Sequence, residues 1–149
     1  MKTLLFLSFS LFSLITHAVS ATPAPSNTVS LPAGTLVLLE TTERVPSERA
    51  TVGKTVQLRV RTDVVACGNV VIRTGAIAVG RIKHIRRSSY NLPEMLVIEA
   101  THVQAADGRL IALNGTEQSF EGQYPNESMI VEPGQTLSAS VMNNETIQL

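Results

Sequence analysis

Between Thr55 and Val65 the chain reads TVQLRVRTDVV. Val56, Leu58, Val60 and Thr62 fall on one side of an extended backbone, and Gln57, Arg59, Arg61 and Asp63 on the other. This is the period-2 pattern of a strand buried on one face only. The same alternation predicts strands at 35–40, 69–73, 76–86, 94–104, 109–114, 136–141 and 145–149, and no helical stripe of comparable length competes with it. Turn chemistry separates the runs at Cys67-Gly68-Asn69, Asp107-Gly108 and Pro133-Gly134. Short, mostly antiparallel strands at this spacing specify an all-β fold, a small barrel or sandwich.

One turn is written three times, in LPAGTLVLL (31–39), VVIRTGAIAVG (70–80) and VEPGQTLSA (131–139). An apolar residue (Leu31, Ile72 or Val131) precedes two turn residues and a glycine (Gly34, Gly75 or Gly134), after which a strand resumes. Glycine at that place predicts a backbone conformation that side chains resist, and a corner by which a strand passes from one sheet into the next.

The first residues, MKTLLFLSFSLFSLITHAVSA, carry Lys2, an apolar run to Ile15 and the small residues Ala18, Ser20 and Ala21. They have the form of a cleavable signal peptide over 1–21. TPAPSNTVS follows as a flexible leader over 22–30, and 31–149 reads as one β-domain. The expected location is exported, periplasmic or extracellular, with no membrane span, because no later run approaches the roughly 20 apolar residues a spanning helix requires.

Past residue 21 the aromatic side chains are Tyr90, Phe120 and Tyr124. They are too few for the two aromatic girdles of an outer-membrane barrel. They also speak against sugar or single-stranded nucleic-acid modules that stack rings on aromatic platforms. Export likewise argues against nucleic acid as a partner.

The order Asp63-Val64, glycine turn, Val70-Val71-Ile72, Gly75, Gly80 resembles the β-barrel segment of TrbI-like conjugation proteins. A nearer likeness is to small uncharacterised exported bacterial β-domain proteins. It rests on PAGT (Pro32–Thr35), VGxTVxxRVxxDV (Val52–Val64), GxVVIxxGAxAxGxI (Gly68–Ile82) and the strand ending VQAxDGxxxxL (Val103–Leu113). These are turn and core positions, so the resemblance implies an envelope-facing β-domain and no particular activity. Arg73 stands where proline is usual before the turn, SSYNLPE replaces a glycine-rich loop, and the helical insertion of the secretion-system barrels is missing.

Charge balances overall at 12 basic and 12 acidic residues, yet it is segregated: residues 22–90 carry ten Lys/Arg and four Asp/Glu, residues 91–149 one and eight. Two readings are open. Basic and acidic strands interleave and neutralise one another, or the surface is two-faced and docks an anionic envelope polymer or a second copy. The densest basic run, RIKHIRR (81–87), offers Arg81, Lys83, Arg86 and Arg87 as binding residues for such a polymer. It reads equally as an edge strand guarded by charge, and Ile85 breaks its alternation as a bulge would.

The sequence contains no GxSxG, HExxH, phosphate-loop or CxxC pattern, and it points to no catalytic residue, metal ligand or cofactor. A hairpin about Tyr90 sets His102 opposite Val79, some five residues and roughly 17 Å from His84, too far for a shared metal. Cys67 is the single cysteine, with no internal partner. NGT, NES and NET at Asn114, Asn126 and Asn144 are formal glycosylation sequences of no weight in a bacterial-type protein. GQYPNES (122–128) reads as a surface loop before the last two strands. The functional expectation is a non-catalytic binding or assembly module of the bacterial cell envelope, whose partner is an envelope protein or anionic polymer. The alternative is a small exported hydrolase for which Cys67, His102 and Asp107 are nominal candidates.

Overall fold

A computed structural model describes residues 27–149; the expected signal peptide and the first part of the leader lie outside the described residues. Thirteen strands run in chain order: β1 Thr28–Leu31, β2 Leu36–Thr41, β3 Val45–Pro46, β4 Thr55–Val60, β5 Val64–Ala66, β6 Asn69–Ile72, β7 Ile77–Arg86, β8 Pro93–Gln104, β9 Leu110–Gly115, β10 Gln118–Pro125, β11 Ile130–Val131, β12 Thr136–Val141 and β13 Glu145–Gln148. A 3-10 turn at Ser47–Arg49 is the only helical element among the described residues. The fold is all-β, as the alternation requires.

Strands pair in the order β10-β8-β7-β4-β2-β12-β9, and β9 returns to pair with β8. Every pairing is antiparallel. Six strands therefore close on themselves, and β10 is an additional strand on β8. The inward residues are aliphatic: Val37, Leu39, Val56, Leu58, Val60, Ala78, Ile82, Leu96, Ile98, Ala100, Val103, Leu137 and Ala139 are almost wholly buried. Two-stranded pairs flank the closed sheet: β1 with β13, lying against the β5–β6 hairpin, and β3 with β11.

The glycine corner occurs four times. In each copy the glycine N–H donates to a barrel residue's carbonyl, and that residue's N–H donates back to the carbonyl after the glycine. Gly34 and Thr35 grip Val141 at 2.8 and 2.9 Å, Gly75 and Ala76 grip Val60 at 2.8 and 2.9 Å, and Gly134 and Gln135 grip Thr41 at 2.7 and 2.9 Å. Gly53 and Lys54 grip Ile82 at 2.8 and 2.9 Å. The four glycines have φ between +82° and +90°, a region closed to most side chains. The corners of β2 and β12 clamp each other's strand, and so do those of β4 and β7. The Gly53 copy escapes the sequence pattern because Ala50 stands where the others have a large apolar residue; Ala50 is nonetheless buried.

Several expectations change. The leader expected over 22–30 gives way at Thr28 to β1, whose register with β13 runs Thr28↔Gln148 to Leu31↔Glu145 and buries Val29. The loop expected at 122–128 begins as strand: β10 runs to Pro125, and the chain turns at Asn126, φ +62°. Three strands follow it rather than two. RIKHIRR is not a simple edge, because β7 lies between β4 and β8, though beyond Ile82, held by the Gly53 corner, only β8 continues beside it. The irregularity expected at Ile85 falls earlier, between Ile82 and His84. One residue is extruded there, so Lys83 and His84 both face out and Ile85 turns back toward the core, with Arg86 on the outer side.

Gly115 explains how one segment becomes both β9 and β10. A Cβ there would overlap the carbonyl oxygen of Ala100 and stand 2.7 Å from its nitrogen. Contact with the β8 backbone is thus possible only for glycine. The chain leaves β12 after Gly115 and continues along the twelve residues of β8, whose Gln104–His102 pair with β9 and Ile98–Met95 with β10.

Candidate functional site

The antiparallel register sets the basic strand against acidic ones. Arg81 stands opposite Glu99, and its Nε donates to Glu99 Oε1 at 2.7 Å. The extruded Lys83 reaches Glu99 Oε2 at 3.0 Å and Glu117 Oε1 at 2.7 Å. Arg86 pairs with Glu121 and donates to the Pro93 carbonyl at 3.2 Å. Arg87 donates to Glu94 Oε1 at 3.0 Å, to the Ser47 carbonyl at 2.5 Å and to the Ala50 carbonyl at 3.0 Å. All four residues singled out for polymer binding are thus engaged by carboxylates. Basic and acidic halves interleave across the β7–β8–β10 face.

Titration follows from these contacts. Hydrogen bonds from Lys83 hold the Glu99 carboxyl below the usual carboxylate range, with burial opposing and Arg81 assisting. Hydrogen bonds to Glu117 and Glu99 raise the Lys83 ammonium. Burial pushes Glu94 up, but hydrogen bonds from Ser47, Arg87 and the Met129 N–H outweigh it and leave the group lowered.

Glu94 is the centre of a buried network that ties three elements together. Its carboxylate accepts from Ser47 Oγ at 2.5 Å and from the Met129 N–H at 3.3 Å, while that N–H also donates to Ser47 Oγ at 3.0 Å. Ser47 is fully buried and Glu94 nearly so. The network binds the 3-10 turn, the start of β8 and the approach to β11, and so fixes the floor beside β10. Sequence reading missed it because its members are scattered over 83 positions and none belongs to a motif.

β10 pairs with β8 along one edge and has no pairing on the other among the described residues. Along that other side runs a groove of about 520 Å³ between Gln118–Glu121 and Met129–Glu132, reaching the start of β12. Phe120 and Met129 pack on the core from within it, while Ile130 is 45% exposed. Tyr124, farther along β10, and Tyr90 at the β7–β8 hairpin are also exposed. The only sequence signal for β10 was the alternation of Phe120, Gly122 and Tyr124, which is weak because a strand outside the closed barrel buries little.

The nominal catalytic candidates stand apart. Cys67, exposed, occupies the β5–β6 turn with φ +49° beside Gly68 at +78°. Both positive values and the Ala66↔Asn69 pair give a two-residue type I′ hairpin. His102 lies exposed on the barrel wall between Val79 and Ala112; the Val79 pairing is the one expected, and His84 pairs with Val97. Asp107 is committed to Arg109 Nε at 2.9 Å and to the backbone N–H groups of Arg109 and Gln148 at 3.1 and 3.3 Å. Burial raises its carboxyl, and these donors, Arg109 foremost, more than offset it. No hydrogen bond joins any two of the three, and no cluster of three or more His, Cys, Asp or Glu suited to a metal occurs among the described residues.

Comparison with protein-family models and with curated proteins finds no match.

Proposed function

We propose that the chain is an exported, non-catalytic binding or assembly module of the bacterial cell envelope. The observation that carries this reading is the outer edge of β10, unpaired among the described residues, beside an open, partly apolar groove. An edge left uncovered in a barrel that otherwise closes its own sheet is a surface suited to another chain. Support for export comes from the sequence of residues 1–21.

An envelope protein suits the surface better than an anionic polymer does. A polyanion at RIKHIRR would have to displace Glu94, Glu99, Glu117 and Glu121 from their cations, and would meet those carboxylates as like charges.

The test is co-sedimentation of the mature protein with its own envelope fraction, before and after protease treatment of that fraction. Retention that protease abolishes supports a protein partner. Retention that survives protease and disappears at high salt supports the polymer, and no retention overturns the envelope assignment. Mass spectrometry of the exported protein is expected to find cleavage near Ser20 or Ala21; Met1 still attached would defeat the export reading.

A further inference from the structure

Resting on that reading, we propose that β10 is a strand-addition site whose partner is an extended basic segment of another protein, alternating apolar and cationic side chains. Three observations combine. The backbone edge of Gln118–Glu121 is unpaired among the described residues, so its outward N–H and C=O groups offer a strand's hydrogen bonds. The groove along that edge presents Phe120, Met129 and Ile130, so alternate side chains of an added strand would find apolar contact.

Charge is the third and selects the occupant. From Leu110 to Leu149 the chain has five glutamates and no lysine, arginine or histidine. Glu121 and Glu132 line the groove, and Glu127 in the turn after β10 makes no ion pair among the described residues. The cations that do meet these carboxylates, Arg44 at Glu132 and Arg86 at Glu121, arrive from outside the groove lining. A second copy joining β10 to β10 antiparallel about Glu121 would set that carboxylate against its own equivalent, a like-charge arrangement that disfavours self-pairing. A basic strand meets the opposite sign at Glu127, and shares Glu121 and Glu132 with Arg86 and Arg44.

The probe is a capped ten-residue peptide alternating valine and lysine, set against a valine–glutamate peptide of the same pattern. A third peptide repeats the valine–lysine sequence with N-methyl groups on alternate residues, which blocks one hydrogen-bonding edge. Binding is read by amide hydrogen exchange of the full chain. The valine–lysine peptide is expected to slow exchange at the outward amides of Gln118–Glu121 at least tenfold. N-methylation and the glutamate replacement should each weaken its affinity at least tenfold, and Glu127→Gln should weaken it severalfold.

Equal affinity for the N-methylated peptide, equal affinity for the glutamate peptide, or protection elsewhere with none in β10 overturns the proposal. So does concentration-dependent protection of β10 without peptide, which would make the occupant a second copy. Envelope retention of a chain whose β10 amides remain unprotected would overturn strand addition while leaving the broader binding role intact.

Discussion

Replacing Glu94 tests whether the buried network, rather than the surface ion pairs, secures the β3–β11 side of the barrel. Glu94→Ala leaves the Ser47 hydroxyl buried without its acceptor, although the Met129 N–H keeps Ser47 Oγ at 3.0 Å. A hydrogen bond to a charged group contributes about 1.5–3 kcal/mol, and stranding a buried donor costs about 1–3 kcal/mol. Arg87 adds little to the loss, because its side chain is 54% exposed and retains the carbonyls of Ser47 and Ala50. The expected destabilisation is about 3 kcal/mol at neutral pH, a fall in Tm of about 10–15 °C for a domain of this size. Glu94→Gln keeps the volume and one acceptor, and should cost about 1 kcal/mol.

The sign with pH is fixed by the lowered carboxyl. Its contribution is fully present above the ordinary value of 4.5 and is lost as pH falls through the folded-state value below it. Urea melts of wild type and both variants from pH 7 to pH 3 measure this. The gap between wild type and Glu94→Gln should narrow only at the acid end. An Ala variant within about 0.5 kcal/mol of wild type at pH 7, the spread of an ordinary surface substitution, or a gap independent of pH would refute the assignment.

Glycine substitutions should separate two causes. Gly75→Val places a β-branched residue at positive φ, with open space around the Cβ position, and should cost more than about 1 kcal/mol. Gly115→Ala meets the Ala100 backbone; a cost of about 2 kcal/mol or more is expected from forced backbone shifts, and a neutral melt would refute the close approach. Reversing Arg86 and Arg87 to glutamate should lower Tm, because Arg87 bridges Ser47, Ala50 and Glu94; an unchanged Tm would show those contacts to be dispensable. Cys67→Asn should raise stability by a few tenths of a kcal/mol, since asparagine suits the first place of a type I′ turn. Native Cys67 should react with a thiol reagent without unfolding, and slow labelling would contradict its exposure.

Strand periodicity, turn residues and three of the four glycine corners were legible in the sequence because each is local: backbone conformation and the facing of side chains are decided within a few residues. The His102–Val79 register follows from a hairpin centred near Tyr90 only because a second irregularity, between Val79 and Gly80, offsets the Lys83 extrusion. Segregated charge was visible too, but its meaning was not. Whether Arg81, Lys83, Arg86 and Arg87 are free or paired depends on which strands lie beside β7, and the Lys83 extrusion that brings that side chain out to both Glu99 and Glu117 leaves no mark in the pattern. β10 was missed because a strand outside the closed barrel needs little apolar alternation to be held by backbone pairing to β8. The buried Ser47–Glu94–Met129 network and the groove beside β10 are products of closure. They join residues far apart in the chain, and only the tertiary structure brings those residues within hydrogen-bonding distance.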